Sequence, residues 1–253
     1  DGAPAGAADG AGAGVADDAG SAGGDEVGGD AAAAGDRSLV ENRTTVLQGA
    51  GSYTSVWQMS STTDGALASE TTFTSAVDYD QERTRFGMRI ANADGVRTDF
   101  ETYYADGRSY QRIGSDEDVS YTSNEAVFSP ETSLFSAEAN IYSSGDIDEF
   151  ADRGTETFDG VTVTRYERTE RPTWLSNQAQ ADGEVRWTEF TYTVLVDDDG
   201  LVRLESWTSE GVDDEDGAVT MTFTYSLTGV GSTVVEEPEW TDSARAAAET
   251  PSG

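Results

Sequence analysis

The chain has 253 residues, with 49 Asp and Glu against 15 basic residues and a formal net charge of −34. Every base is Arg, and His, Cys and Lys are absent. This composition excludes imidazole, thiolate, disulfide and lysine-amine chemistry, and it disfavours nucleic acid, a polyanion that such a surface repels.

Residues 1–36 are built almost wholly of Ala, Gly and Asp, with Val15 and Val27 as the only larger apolar side chains. So little apolar surface cannot offset the entropy of ordering. The stretch reads as a disordered, acidic linker whose reach, for a Gly-rich coil, is on the order of 30–36 Å. A domain over 37–240 and a polar tail over 241–253 follow. No apolar run approaches the roughly 18 residues of a membrane-spanning helix.

From residue 37 onward the pattern is that of a folded protein. Ser38 and Glu41 fit a capping box, and Leu39, Val40, Val46 and Leu47 would share a face of a helix that Gly49 ends. Period-two alternation then begins with Tyr53, Ser55, Trp57 and Met59. Strands are expected over 70–79, 83–91, 96–105 and 109–113, with a tight turn at Asp106-Gly107. In the middle, Ser129-Pro130-Glu131 opens a helix, and Leu134, Phe135, Ile141 and Tyr142 lie on one face of it. Asp146–Asp152 adds a helical turn with Ile147 and Phe150 inward. Strands return over 155–158, 161–168, 185–196, 201–209, 219–227 and 233–236. Strand-rich halves around a helical insert predict an α+β fold: a large curved antiparallel sheet with an N-terminal helix and a central helical insert.

Two acidic clusters, Asp197–Gly200 and Asp213–Gly217, invite a Ca²⁺ reading. Counting back from their glycines puts Leu195 and Val212 at the first ligand position, so both read as hairpin turns. No metal and no cofactor is expected. With 49 acids a close carboxylate pair is certain somewhere, so a carboxylate-dependent hydrolase is an alternative without a diagnostic residue. The strand aromatics are more informative. A sheet lined by apolar side chains and closed by the central helix would form a pocket for a lipid or other apolar molecule. Its candidate lining is Phe86, Met88, Phe223 and Tyr225 on the sheet, with Leu134, Phe135, Ile141 and Tyr142 on the helix. The other alternative is a structural surface protein that self-associates through a sheet edge.

Asn42-Arg43-Thr44 is the one N-x-T sequon, which makes Asn42 a glycosylation candidate in an exported protein. The Lys-free, Asp-rich composition resembles that of halophilic archaeal proteins. At about 1 M salt the screening length is roughly 3 Å, and surface carboxylates stop repelling one another. The stretches "NRTTVLQGAGSYTSVWQMSS", "FDGVTVTRYE", "VLVDDDGLVRLESW" and "VTMTFTYSLTGVGSTVVEEPEW" resemble haloarchaeal lipoproteins of uncharacterised function. Those share the lipoprotein-carrier fold of the bacterial LolA and mycobacterial LppX/LprG families. The resemblance implies an incomplete barrel around an apolar cavity and a non-catalytic domain at the extracellular face of the membrane. It also implies a lipid anchor on a Cys preceding Asp1, outside this chain.

Overall fold

A computed structural model describes Leu39 and residues 43–95, 97–114, 118–130, 141, 147–171, 185–213 and 217–249. The chain divides into units Asp1–Asp36 and Arg37–Gly253. The first lies outside the described residues, as do Val40, Asn42 and most of the central insert, including Leu134, Phe135 and Tyr142.

The second unit is mostly β. Eleven antiparallel strands form one open sheet in the order β6-β5-β4-β3-β2-β1-β11-β10-β9-β8-β7. They are β1 Ser52–Thr63, β2 Ala66–Asp78, β3 Arg83–Asn92, β4 Arg97–Ala105, β5 Arg108–Ile113, β6 Ser120–Glu125, β7 Ala151–Phe158, β8 Val161–Arg168, β9 Arg186–Asp197, β10 Val202–Val212 and β11 Ala218–Thr228. Among the described residues there are also two short helices, α1 Arg43–Ala50 and α2 Thr241–Glu249, and a 3-10 turn at Ile147–Glu149. The α+β expectation is therefore corrected to mostly β, and the incomplete barrel to a sheet with two free edges, β6 and β7. Edge-to-edge closure would need β6 and β7 to pair, and they stand at opposite ends of the order.

Two meanders build this order, and β1 pairing with β11 joins them in the middle. Hairpin chemistry sets the meanders. Asp64-Gly65, Asp106-Gly107 and Asp159-Gly160 all have positive φ at both positions (51°/76°, 53°/75° and 49°/78°), the geometry of a type I′ turn whose twist matches that of the strands. The chain between β6 and β7 must pass from one edge of the sheet to the other. Ten strand spacings of about 4.8 Å separate those edges along the sheet. The described part of the connection, Ile141, Ile147 and Phe150, is buried on the main core with α1's Leu47, so this segment crosses that face.

Three local expectations change. Helix α1 ends at Ala50 rather than Gly49, because Gly51 adopts the left-handed conformation (φ 84°) that terminates it and donates to Gln48 O at 3.1 Å. Residues 233–236 form no strand, since β1 and β11 are each already paired on both sides. They instead cross the opposite face as a strap. Residues 241–249, read as the start of a polar tail, form α2, which docks on β5 and β6. Val235, Tyr103, Ala105, Tyr110 and Ala244 make a second small core there.

Candidate ligand-binding face

Alternation places Tyr53, Trp57 and Met59 on the same face as Phe223 and Tyr225, by the β1–β11 register. The same face continues through Phe73, Phe86, Met88 and Phe100. In the other direction it carries Glu205, Trp207, Phe190, Tyr192 and Val194.

The rings form a belt across seven adjacent strands. Centroid separations run 6.5 Å for Phe190–Trp207, 5.7 Å for Trp207–Phe223, 5.4 Å for Phe223–Trp57 and 5.1 Å for Trp57–Phe73. The belt ends with 6.2 Å each for Phe73–Phe86 and Phe86–Phe100. Cross-strand aromatic pairs of this kind stabilise a sheet beyond their buried area.

The two halves of the belt differ in how they are covered. Phe190, Trp207 and Phe223 are buried in the main core, packed with Ile141, Ile147 and Phe150. On β1, β2 and β4 the rings of Trp57, Phe73 and Phe100 are only half-buried. There a cleft of about 280 Å³ opens between the sheet and residues 126–130, walled by Val77, Phe86, Phe100, Tyr104, Val127 and Pro130. Ser75, Thr84, Thr102, Ser109, Gln111 and Ser129 line it as well, so the cleft is mixed in polarity. Ile90 and Ile113 lie on this face and are exposed, and Val127 is 86 % exposed.

Among the residues expected to line a pocket, Phe86, Met88, Phe223 and Tyr225 do share one face. Only Phe86 reaches the cleft; Phe223, Tyr225 and Ile141 are packed into the core. Leu134, Phe135 and Tyr142 lie outside the described residues. Phe100, Val77 and Tyr104 were missed as wall residues. The register of the β2–β3 and β3–β4 hairpins, readable once their turns are located, brings them beside Phe86.

A buried acid sits within the apolar face. Glu205 is 0 % exposed. It accepts a 2.5 Å hydrogen bond from the Tyr192 hydroxyl and one of 3.2 Å from the Ile141 amide. Burial, and then the neighbouring Glu205 carboxylate, push the Tyr192 phenol well above its ordinary range. Tyr192 is therefore a fixed donor. The pair anchors the crossing segment to β9 and β10 and offers no exposed acid or base.

The acidic clusters have local partners too. Asp197 Oδ1 accepts from the amides of Asp199 and Leu201, and its Oδ2 pairs with Arg203 at 2.6 Å. Asp213 Oδ1 accepts from Gly217 N at 2.8 Å. Among the described residues, no group of three acidic side chains is arranged to hold a metal ion, and no helix is long and apolar enough to cross a membrane.

No curated protein matches the chain. A family of unknown function, DUF7537, matches residues 2–244. That match takes in every strand and the start of α2, so the chain belongs to DUF7537.

Proposed function

We propose that this protein is a non-catalytic carrier or receptor for an apolar chain, such as a lipid acyl group. It works at the outer face of a cell membrane, with residues 1–36 as spacer. The observation that carries the reading is the aromatic belt that is packed at one end and opens at the other into the Phe86–Phe100 cleft. The half-buried rings and the exposed Ile90, Ile113 and Val127 leave apolar surface beside a strongly charged exterior, which suits a site that something apolar covers. The cleft's volume lies near the lower end for ligand pockets, which fits a single hydrocarbon chain better than a ring system. The absence of His, Cys and Lys from the whole chain supports the non-catalytic part.

The test is to purify the protein from its native membrane, extract it with organic solvent and identify bound lipid by mass spectrometry. Fluorescent fatty-acid uptake is then compared for wild type and Phe100→Ala. Phe100 is half-buried, so truncation should lower uptake several-fold while costing less than the about 3–5 kcal/mol of a fully packed aromatic. A dry extract, with no uptake by the wild type, would remove the carrier reading.

A further inference from the structure

We propose that the opposite face of the sheet binds a neutral glycan chain. The proposal does not depend on the apolar-ligand reading, which concerns the other face.

The face is defined by the alternate residues of each strand, and its centre is unusual for this protein. Two rows of side chains cross five strands. One runs Thr72, Gln58, Thr224 and Ser206 and ends at the buried Thr193; the other runs Glu70, Ser60, Thr222, Thr208, Thr191. On β1, β11 and β10 these rows hold no charge, in a chain of net charge −34. Away from that centre charges return to the same face: Arg85, Arg89, Asp99 and Glu101 on β3 and β4, and Arg165 and Glu167 on β8. The neutral terrace is therefore local and is not a general property of the surface.

The terrace runs into the larger of the described cavities, a groove of about 650 Å³. Gln58, Thr72 and Thr74 form its near side, Arg85 and Arg89 its far side, and the strap at Val234 overhangs it. Gly87 supplies its depth, because a Cβ there would meet nothing within 4 Å. The arginines are paired: Arg85 with Glu101 at 3.0 Å and Arg89 with Asp99 at 3.2 Å. Both arginine side chains are nevertheless about half exposed. Trp240 Nε1 donates to Glu101 at 3.1 Å and helps hold that carboxylate in place.

Such a surface offers fixed donors next to fixed acceptors, with each guanidinium already matched by a carboxylate. A hydroxyl both donates and accepts, so neighbouring sugar hydroxyls can use a guanidinium–carboxylate pair and a Thr row together. An anion would meet the carboxylates of Glu70, Asp99, Glu101 and Glu236, and among the described residues no three acidic side chains are placed to hold a metal ion. A neutral polyhydroxylated chain meets no such repulsion and needs no such site. The strand spacing of about 4.8 Å is close to the rise of one sugar unit along an extended glycan, which lets successive units meet successive strands.

The experiment uses the full chain with cellohexaose, maltohexaose and mannohexaose as probes, followed by titration calorimetry and ligand-observed NMR. At least one hexaose should bind with a Kd of about 1 mM or tighter. That affinity should barely change between about 1 M and about 3 M KCl, because no ion pair is formed across the interface. Gly87→Leu fills the groove at a position with free space, and Thr224→Asp puts a charge on the terrace. A loss of about tenfold or more in either variant, with the melting temperature unchanged, supports the proposal. It is overturned if none of the hexaoses binds below about 10 mM, or if both variants bind as wild type. It is also overturned if Thr224→Asp abolishes only a concentration-dependent dimer, which would make the terrace a self-docking face.

Discussion

Two glycines with opposite requirements show how single residues support this fold. Gly107 completes the β4–β5 turn at φ 75°, where a side chain strains the backbone by roughly 1–2 kcal/mol. Gly87 lies inside β3 with open space around it. Gly107→Ala should therefore destabilise by about 1–2 kcal/mol. Gly87→Ala should be neutral or stabilise by up to about 1 kcal/mol, since Gly is a poor strand residue. Denaturant midpoints of the two variants decide this, and equal effects would contradict the turn assignment. Glu205 supplies a second test. Replacement by Leu leaves the Tyr192 hydroxyl and the Ile141 amide without the acceptor they share, at about 1–3 kcal/mol for each buried group. Glu205→Gln keeps an acceptor and should lose clearly less. Hydrogen exchange at Ile141 would rise in Glu205→Leu and stay near wild type in Glu205→Gln.

At the scale of elements, α2 is docked through one corner of charge. Glu237 accepts from the Thr241 hydroxyl at 2.7 Å and pairs with Arg245 at 2.5 Å, and Arg245 also stacks over the Tyr110 ring. The Thr241 hydrogen bond, and then Arg245, hold the Glu237 carboxyl below its ordinary range. A depressed carboxyl stabilises the fold above the unfolded pKa, about 4.3 for Glu. It ceases to do so as pH falls through the folded value. The stability gap between wild type and Glu237→Gln should hence be constant above about pH 5 and shrink towards about pH 3. The pair is almost half exposed, so the gap should not exceed about 1 kcal/mol. Urea midpoints measured at several pH values test it, and a gap that widens on acidification would reverse the assignment.

On the scale of the whole molecule, charge and salt dominate. Net charge −34 spread over one domain-sized chain is self-repelling at low ionic strength, and folded domains have only about 5–15 kcal/mol in hand. Circular dichroism melts should show the midpoint falling as NaCl is lowered from about 3 M to about 0.1 M, where the screening length grows to about 10 Å. A constant midpoint would mean that the acidic surface is not matched to concentrated salt.

Local chemistry made most strands legible in the sequence. Asp-Gly turns and alternating apolar residues place β1–β5 and β8–β11 within a few residues of where they lie. Strand β6, Ser120–Glu125, was not recognised, because an edge strand buries little and SYTSNE carries no apolar alternation. Its existence depends on β5 beside it and α2 above it.

The composition alone settled the chemistry that this chain lacks, and its period-two patterning settled that it is a sheet protein. Which strands are neighbours was a tertiary matter. The pairing of β1 with β11 joins residues more than 150 positions apart, and nothing local encodes so long a contact. That pairing aligns Trp57 with Phe223 and so joins the packed half of the aromatic belt to the open half. It also lines up the Thr and Ser rows on the other side. Alternation tells which residues of a strand share a face, but only the assembled sheet shows which face is covered. For that reason Phe223 and Tyr225 became core, while Phe86 and Phe100 became the wall of a cleft.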